Sequence, residues 1–261
     1  MLRPRIIPCL LIQDSGLVKT VRFQDAKYVG DPINAVKIFN EKEADELIVI
    51  DIDASAKGRE PDYQQIAHLA SECRMPLCYG GGVRTAEQAK RIIALGVEKV
   101  AISSAALANP ALISEIAAEI GRQSVVVVLD HKQRLLGKTQ DVWTHNGTRN
   151  TKRGVVEVAL EMEKLGAGEI VLNSIDNDGK MKGYDLALAA HLRELLTVPL
   201  TVLGGGGSLD DMHKVVAACG VVGVAAGSFF VFKGPYRAVL ISYPTAQQKL
   251  DSIYSALQGG R

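Results

Sequence analysis

Tyr79–Ser104 reads YGGGVRTAEQAKRIIALGVEKVAISS, and this stretch decides the fold. Its parts run strand, glycine turn, helix, strand, small polar tip. Gly80, Gly81 and Gly82 follow a short apolar run, and a turn without side chains lets backbone N–H groups approach an anion. The same order returns in Leu203–Ser228, LGGGGSLDDMHKVVAACGVVGVAAGS. Gly80 to Ser104 is 24 positions, as is Gly204 to Ser228, and the copies stand 124 positions apart in a chain of 261. Two similar halves follow from that spacing.

Outward from these copies, apolar runs of strand length alternate with amphipathic runs of helix length. Strands are expected near Ile6–Ile12, Leu47–Ile52, Pro76–Tyr79, Val100–Ser103, Val125–Asp130, Ile170–Asn173, Leu200–Leu203 and Val222–Ala226. Helices are expected near Asp31–Glu43, Pro61–Cys73, Thr85–Leu95, Pro110–Gly121, Thr151–Leu165, Leu186–Leu196, Leu209–Cys219 and Ala246–Leu257, with Gly96 and Gly166 as C-terminal caps. Eight such units with near-continuous apolar strands predict an α/β fold, a (β/α)8 TIM barrel of two duplicated half-barrels. No linker or composition break interrupts residues 1–261, so one domain is expected, with halves of about 1–121 and 122–261.

Hydrophobic residues make up 47%, enough for a sizeable core, and the net charge of +1 favours neither nucleic acid nor a membrane surface as partner. Met1–Ile12 lacks a leader pattern and no stretch reaches membrane-spanning length, which fits a cytoplasmic protein. Cys9, Cys73, Cys78 and Cys219 show no metal-ligand spacing and read as buried free thiols in a reducing compartment. No metal and no cofactor is expected. Two long loops, Gln13–Gly30 with Lys19, Arg22, Asp25 and Lys27, and His131–Asn150, follow the first and fifth strands. In a barrel of this kind such loops form the active face.

The glycine turns and the tips Ser103–Ser104 and Gly227–Ser228 belong on that face, one set per half. Two anion sites suit a ligand with a phosphate at each end. Aligned at an offset of 119, IIPCLL (Ile6–Leu11) and VVVVLD (Val125–Asp130) put Leu11 opposite Asp130. A carboxylate at a strand's C-terminal end is placed for general acid/base work, and here the second member of such a pair is missing. The rival role for Asp130 is to orient Lys19 or another cation. Asp51, Asp53, Asp176 and Asp178 are further carboxylates on the face. At the opposite mouth Arg5, Glu46, Lys99 and Glu169 precede the first, second, fourth and sixth strands and read as a ring of salt bridges, a plug.

The motifs RIIPCL, GLVK (Gly16–Lys19), GDP (Gly30–Pro32), ADELIVIDIDAS (Ala44–Ser55), YGGGVR, EKVAISSAA, GAGEIVLNSIDNDG (Gly166–Gly179), GYD (Gly183–Asp185) and AAGS (Ala225–Ser228) give the chain a resemblance to the cyclase subunit of imidazole glycerol phosphate synthase, from about Arg5 to Phe232. The resemblance implies a glutaminase subunit docked on the N-terminal face. It implies ammonia passing through the barrel to a bisphosphorylated ribulosyl-type substrate. Arg5, Glu46, Lys99 and Glu169 then read as a gate. The implied phosphate ligands are Gly81, Gly82, Ser103 and Ser104 in one half and Gly204, Gly205, Gly227 and Ser228 in the other, with Ser103 in place of a usual Asn. The implied catalytic aspartate is Asp130, and the family's other one falls on Leu11; Lys19 and Asp51 are the further catalytic candidates on the same face. Ammonia delivered but used elsewhere matches that pattern. FVFKGPYRAVLISYP (Phe230–Pro244) and YVGDP (Tyr28–Pro32) resemble extra copies of the subunit that stand beside surface-polysaccharide genes and supply a sugar amidotransferase. The alternatives are a working histidine-pathway cyclase, with Asp51 or a loop carboxylate covering for Leu11, and a silent scaffold that activates the glutaminase.

Overall fold

A computed structural model describes residues 3–134 and 139–257. In chain order its strands are β1 (Arg5–Gln13), β2 (Gly16–Val21), β3 (Gln24–Gly30), β4 (Leu47–Asp51), β5 (Leu77–Gly80), β6 (Lys99–Ile102), β7 (Val125–Gln133), β8 (Gln140–Thr144), β9 (Arg149–Gly154), β10 (Glu169–Ser174), β11 (Leu200–Leu203), β12 (Gly223–Ala226), β13 (Phe232–Lys233) and β14 (Ala238–Val239). The helices are α1 (Pro32–Glu41), α2 (Tyr63–Glu72), α3 (Ala86–Ala94), α4 (Ser104–Ala108), α5 (Ala111–Ile120), α6 (Val155–Leu165), α7 (Leu186–Leu195), α8 (Leu209–Cys219), α9 (Ser228–Val231) and α10 (Ala246–Gln248).

Eight strands pair in parallel in the order β10–β11–β12–β1–β4–β5–β6–β7, and β7 pairs with β10 to close the sheet. This is the (β/α)8 TIM barrel. Each helix start has a local cause. Asp31, Asp62, Thr85, Asp185 and Ser208 accept a backbone N–H from the first turn, and Pro32 begins α1 with its φ already set. Gly166 closes α6 in the left-handed conformation, as its position after Leu165 suggests.

Two apolar cores result. The larger lies between sheet and helices, with Phe39, Ile66, Leu69, Ile92, Leu192 and Phe230 among its members. The smaller fills the barrel itself and contains Ile7, Cys9, Ile48, Cys78, Ala101, Val126, Val171 and Ala225. Cys9, Cys78 and Cys219 are buried thiols, whereas Cys73 is only half-buried, because it follows α2 at the surface.

Several expectations need correction. Gln13–Gly30 is not a loop but an antiparallel pair, β2 with β3, that prolongs β1. Most of His131–Asn150 is likewise sheet: β7 runs on to Gln133 and pairs with β8, which pairs with β9; residues 135–138 lie outside the described part. Thr151–Gly154 belongs to β9 rather than to the following helix, since Thr151 Oγ1 donates to Val142 O at 2.7 Å and strand pairing overrides the helical pattern. The final helix stops at Gln248. A wider π turn, Lys249–Ile253, and a 3₁₀ turn, Tyr254–Leu257, follow, carrying Lys249 onto Asp45 and Ile253 into the core. The polar tips after β6 and β12 are short helices, α4 and α9.

Candidate functional site

The C-terminal ends of the strands surround one cavity. Its wall includes Leu11, Lys19, Asp51, Gly81, Gly82, Ser103, Ser104, Asp130 and Gly227. The structure thus gathers there all three expected catalytic residues and five of the eight expected phosphate ligands.

The two glycine turns are built alike. Gly81 has φ +120° and Gly204 φ +92°. A Cβ on Gly81 would stand 2.5 Å from the carbonyl of Asp51, and one on Gly204 would stand 2.6 Å from the carbonyl of Ser174. Gly81 and Gly204 are therefore structural equivalents, each directly after its strand, β5 or β11. The equal spacing counted from Gly80 is off by one, because Gly80 is the last residue of β5 and matches Leu203. The two sets differ in access. Gly81, Gly82, Ser103 and Ser104 all face the cavity, whereas of the second set only Gly227 lines it. A Cβ on Gly227 would collide with Lys19 Nζ, so a side chain there would have to displace the ammonium. Ser228 Oγ is buried without a partner among the described residues. Ser104 Oγ accepts the N–H of His145 at 3.1 Å, and Gly82 N donates to Ser55 Oγ at 3.2 Å.

Asp130 is held on both oxygens. Asn173 Nδ2 donates to Oδ1 at 2.7 Å and Ser103 Oγ to Oδ2 at 3.3 Å. Burial raises its pKa to about 7, against the pull of those two donors, so both protonation states are accessible near neutrality. Asp130 makes no ion pair with Lys19; the Lys19 ammonium donates to Cys9 O at 3.2 Å. Burial lowers the pKa of Lys19, opposed by Cys9 and Asp178. Asp51 accepts the N–H groups of Asp53 and Ala54 at 2.9 and 3.0 Å, and burial raises its pKa despite them.

The strand register explains the contrast with Leu11. Asp130 pairs with Asn173 on β10 and Trp143 on β8; Leu11 pairs with Ile50 on β4 and Val18 on β2. Leu11 and Asp130 are thus equivalent, as the offset of 119 predicts. Neither ends its strand, since both mark the point where parallel pairing gives way to a hairpin. Ile50 stands where Asn173 stands in the other half, and Gly227 where Ser103 stands.

At the opposite mouth Arg5, Glu46, Lys99 and Glu169 form one closed ring. Arg5 Nη1 donates to Glu46 and Arg5 Nη2 to Glu169 Oε1 at 2.7 Å. Lys99 Nζ reaches Glu46 Oε1 at 2.7 Å and Glu169 Oε2 at 2.8 Å. Thr201 Oγ1 joins by donating to Glu169 at 2.6 Å. Burial pulls the Lys99 pKa down, but Glu169 and Glu46 outweigh it and raise the pKa, while the two cations likewise lower that of Glu169. Ile48, Ala101 and Val171 follow Glu46, Lys99 and Glu169 by two residues and so face the same way along their strands. Those three line the cavity, as does Cys78, which pairs with Lys99. The cavity floor is therefore the apolar layer next to the ring.

Sequence reasoning did not give Asn173 and Thr201 their roles. It read Asp176 and Asp178 only as further carboxylates on the active face, yet both are tethers. Asp176 accepts the N–H of Gln133 at 2.9 Å, and Asp178 accepts from Thr20 Oγ1 at 2.8 Å and Phe23 N at 3.2 Å. One loop after β10 thereby anchors both hairpins. The only prior signal was the dense polar run NSIDNDG.

Comparison with known proteins is consistent with this geometry. Residues 5–236 match the family described as histidine biosynthesis protein. A Vibrio vulnificus protein, provisionally named as imidazole glycerol phosphate synthase subunit hisF3, is 59% identical over 97% of this chain and 97% of its own length. A Pseudomonas aeruginosa protein provisionally named as subunit hisF2 is 53% identical over 96% of this chain and 99% of its own. The imidazole glycerol phosphate synthase subunit HisF of Hyphomonas neptunium is 43% identical over 89% and 91%.

Proposed function

The chain belongs to the histidine biosynthesis protein family, as a homologue of the cyclase subunit of imidazole glycerol phosphate synthase, and from that premise we propose that it relays ammonia for a reaction other than the cyclisation. A glutaminase subunit docks at the mouth bearing Arg5, Glu46, Lys99 and Glu169. Ammonia, small and neutral, passes the ring and the apolar interior of Ile48, Cys78, Ala101 and Val171. It emerges in the cavity, where Gly81, Gly82, Ser103 and Ser104 hold a phosphate. Gly204, Gly205, Gly227 and Ser228 hold a second once the Lys19 ammonium turns to meet it. The ammonia is then used by a sugar-modifying amidotransferase that converts an N-acetyl group to an acetamidino group during surface-polysaccharide synthesis.

The observation that carries this reading is the contrast between the two ends. The ring is complete, whereas the acid/base position of the first half is hydrocarbon, with Leu11 beside Ile50 and Gly227. Reconstitution tests it. The chain, its glutaminase and the candidate amidotransferase should convert glutamine and N-acetyl sugar to glutamate and amidinated sugar in equal amounts. Wild-type turnover of the histidine-pathway bisphosphate with ammonium salt at an ordinary enzymatic rate would overturn it. One observation favours that second reading, a working cyclase: Asp130 keeps two donors and a pKa of about 7, suited to proton transfer. Rescue of a strain lacking its cyclase separates the two.

A further inference from the structure

Beside the ring, the N-terminal end carries a second recess, bounded by Arg3, Pro4, Arg5, Asp45, Lys249 and Tyr254. Its charges can be assigned one by one. Asp45 is committed: Oδ1 accepts from Lys249 Nζ at 2.6 Å and Oδ2 from Ile6 N at 2.9 Å. Arg5 and Lys99 are balanced by Glu46 and Glu169. Arg3 remains. It is exposed, makes no ion pair with any described residue, and stands 6.0 Å from the Tyr254 ring. The recess therefore holds one uncompensated guanidinium at its rim and a second, Arg5, in its wall, 28% exposed. Arg5 uses Nη1 and Nη2 on the ring, and its Nε donates to no described residue. Two guanidinium groups on one small concavity match a carboxylate in charge and in hydrogen-bond geometry.

We infer that this recess seats an acidic side chain of the docked glutaminase subunit, between Arg3 and Arg5. The inference rests on the docking proposed above and specifies its chemistry. Arg5 belongs to the recess and to the ring at once. A carboxylate arriving from outside competes with Glu46 and Glu169 for the same guanidinium. Seating the partner and loosening the ring are then one event, and a chain without its partner keeps the ring shut.

Titration calorimetry against the cognate glutaminase subunit tests this, using the full chain, Arg3→Glu, Arg3→Ala and Lys182→Glu. Lys182 is an exposed cation in the loop after β10, at the other end of the barrel, and controls for net charge. Arg3→Glu should weaken binding by about tenfold or more and Arg3→Ala by less, both effects shrinking at high salt, while Lys182→Glu binds as wild type. Equal affinity for wild type and Arg3→Glu overturns the inference while leaving the docking intact. Equal weakening by Lys182→Glu overturns it too, because only overall charge would then matter. A wild-type chain that binds no glutaminase sinks the docking itself, and the recess with it.

Discussion

Asp130 and Leu11 sit at equivalent places on β7 and β1, and their neighbours differ as much as they do. Asp130 has Asn173 and Ser103 as donors; a carboxylate placed at 11 would find Ile50 and Gly227. Leu11→Asp should therefore recover little or no cyclase turnover, because it lacks the two donors that hold Asp130, and cost no more than about 1 kcal/mol of stability, because position 11 is half-buried and the Lys19 ammonium stands at Gly227. Turnover of the bisphosphate and a thermal midpoint check both halves of that statement. Asp130 gives a pH prediction. Its folded pKa, about 7, lies above its ordinary 3.8, so the folded chain binds the proton more tightly than the unfolded one. Its contribution to stability is full below about pH 4 and is lost as the pH rises through 7. Asp130→Asn removes that loss. Its melting temperature should match wild type near pH 4 and exceed it at pH 8, while any proton-transfer activity falls about 10²–10⁴-fold. A variant no more stable than wild type at pH 8 would show that Asp130 is not desolvated.

At the scale of the element, the glycine turns and the two hairpins shape the cavity. Gly81 is crowded by the carbonyl of Asp51 and lies at φ +120°, so Gly81→Ala meets both a clash and a strained backbone. The expected cost is about 2–4 kcal/mol, with phosphate binding weakened in parallel because the turn that presents its N–H groups must shift. Differential scanning calorimetry with and without phosphate measures both. The β2–β3 hairpin brings Lys19 to Gly227 and is anchored through Thr20 and Phe23 on Asp178. Asp178→Ala leaves the Thr20 hydroxyl and the Phe23 amide unpaired, at about 1–3 kcal/mol. The hairpin should then open more often, and limited proteolysis should cut first near Arg22. Cleavage unchanged from wild type would mean that Asp178 is not its anchor.

For the whole molecule, the decisive quantity is the coupling of its two ends. Lys99 bridges Glu46 and Glu169 by a point charge on a flexible stem, whereas Arg5 holds the same two carboxylates by a planar fork. Lys99→Ala should leave the barrel folded but less stable by about 3–5 kcal/mol, since Glu46 and Glu169 are buried and Arg5 alone would then balance both. In the reconstituted system its glutamate release should exceed amidinated sugar, as ammonia leaks or arrives late. A ratio equal to wild type, with the glutaminase bound, would leave the four residues as a plug.

The sequence by itself determined the barrel, because strand and helix periods, the helix start at Asp31, the cap at Gly166 and the repeated glycine turns are local properties that survive into the fold. It also brought out Asp130 against Leu11 and the four charges of the ring, since equivalent positions in the two halves, and positions just before a strand, are countable along a chain. What only the tertiary structure decided depends on which strands become neighbours. Asn173 reaches Asp130 from β10, Thr201 joins the ring from β11, and the face carboxylates Asp176 and Asp178 serve as tethers. The hairpins looked like loops because antiparallel partners a few residues away leave no periodicity in polar stretches such as Gln24–Gly30 and Arg149–Gly154. The unequal access of the two glycine turns was equally out of reach. Gly205 packs under the loop after β10, where Gly183 N donates to its carbonyl at 2.9 Å and Asn177 lies alongside, contacts that no local pattern encodes.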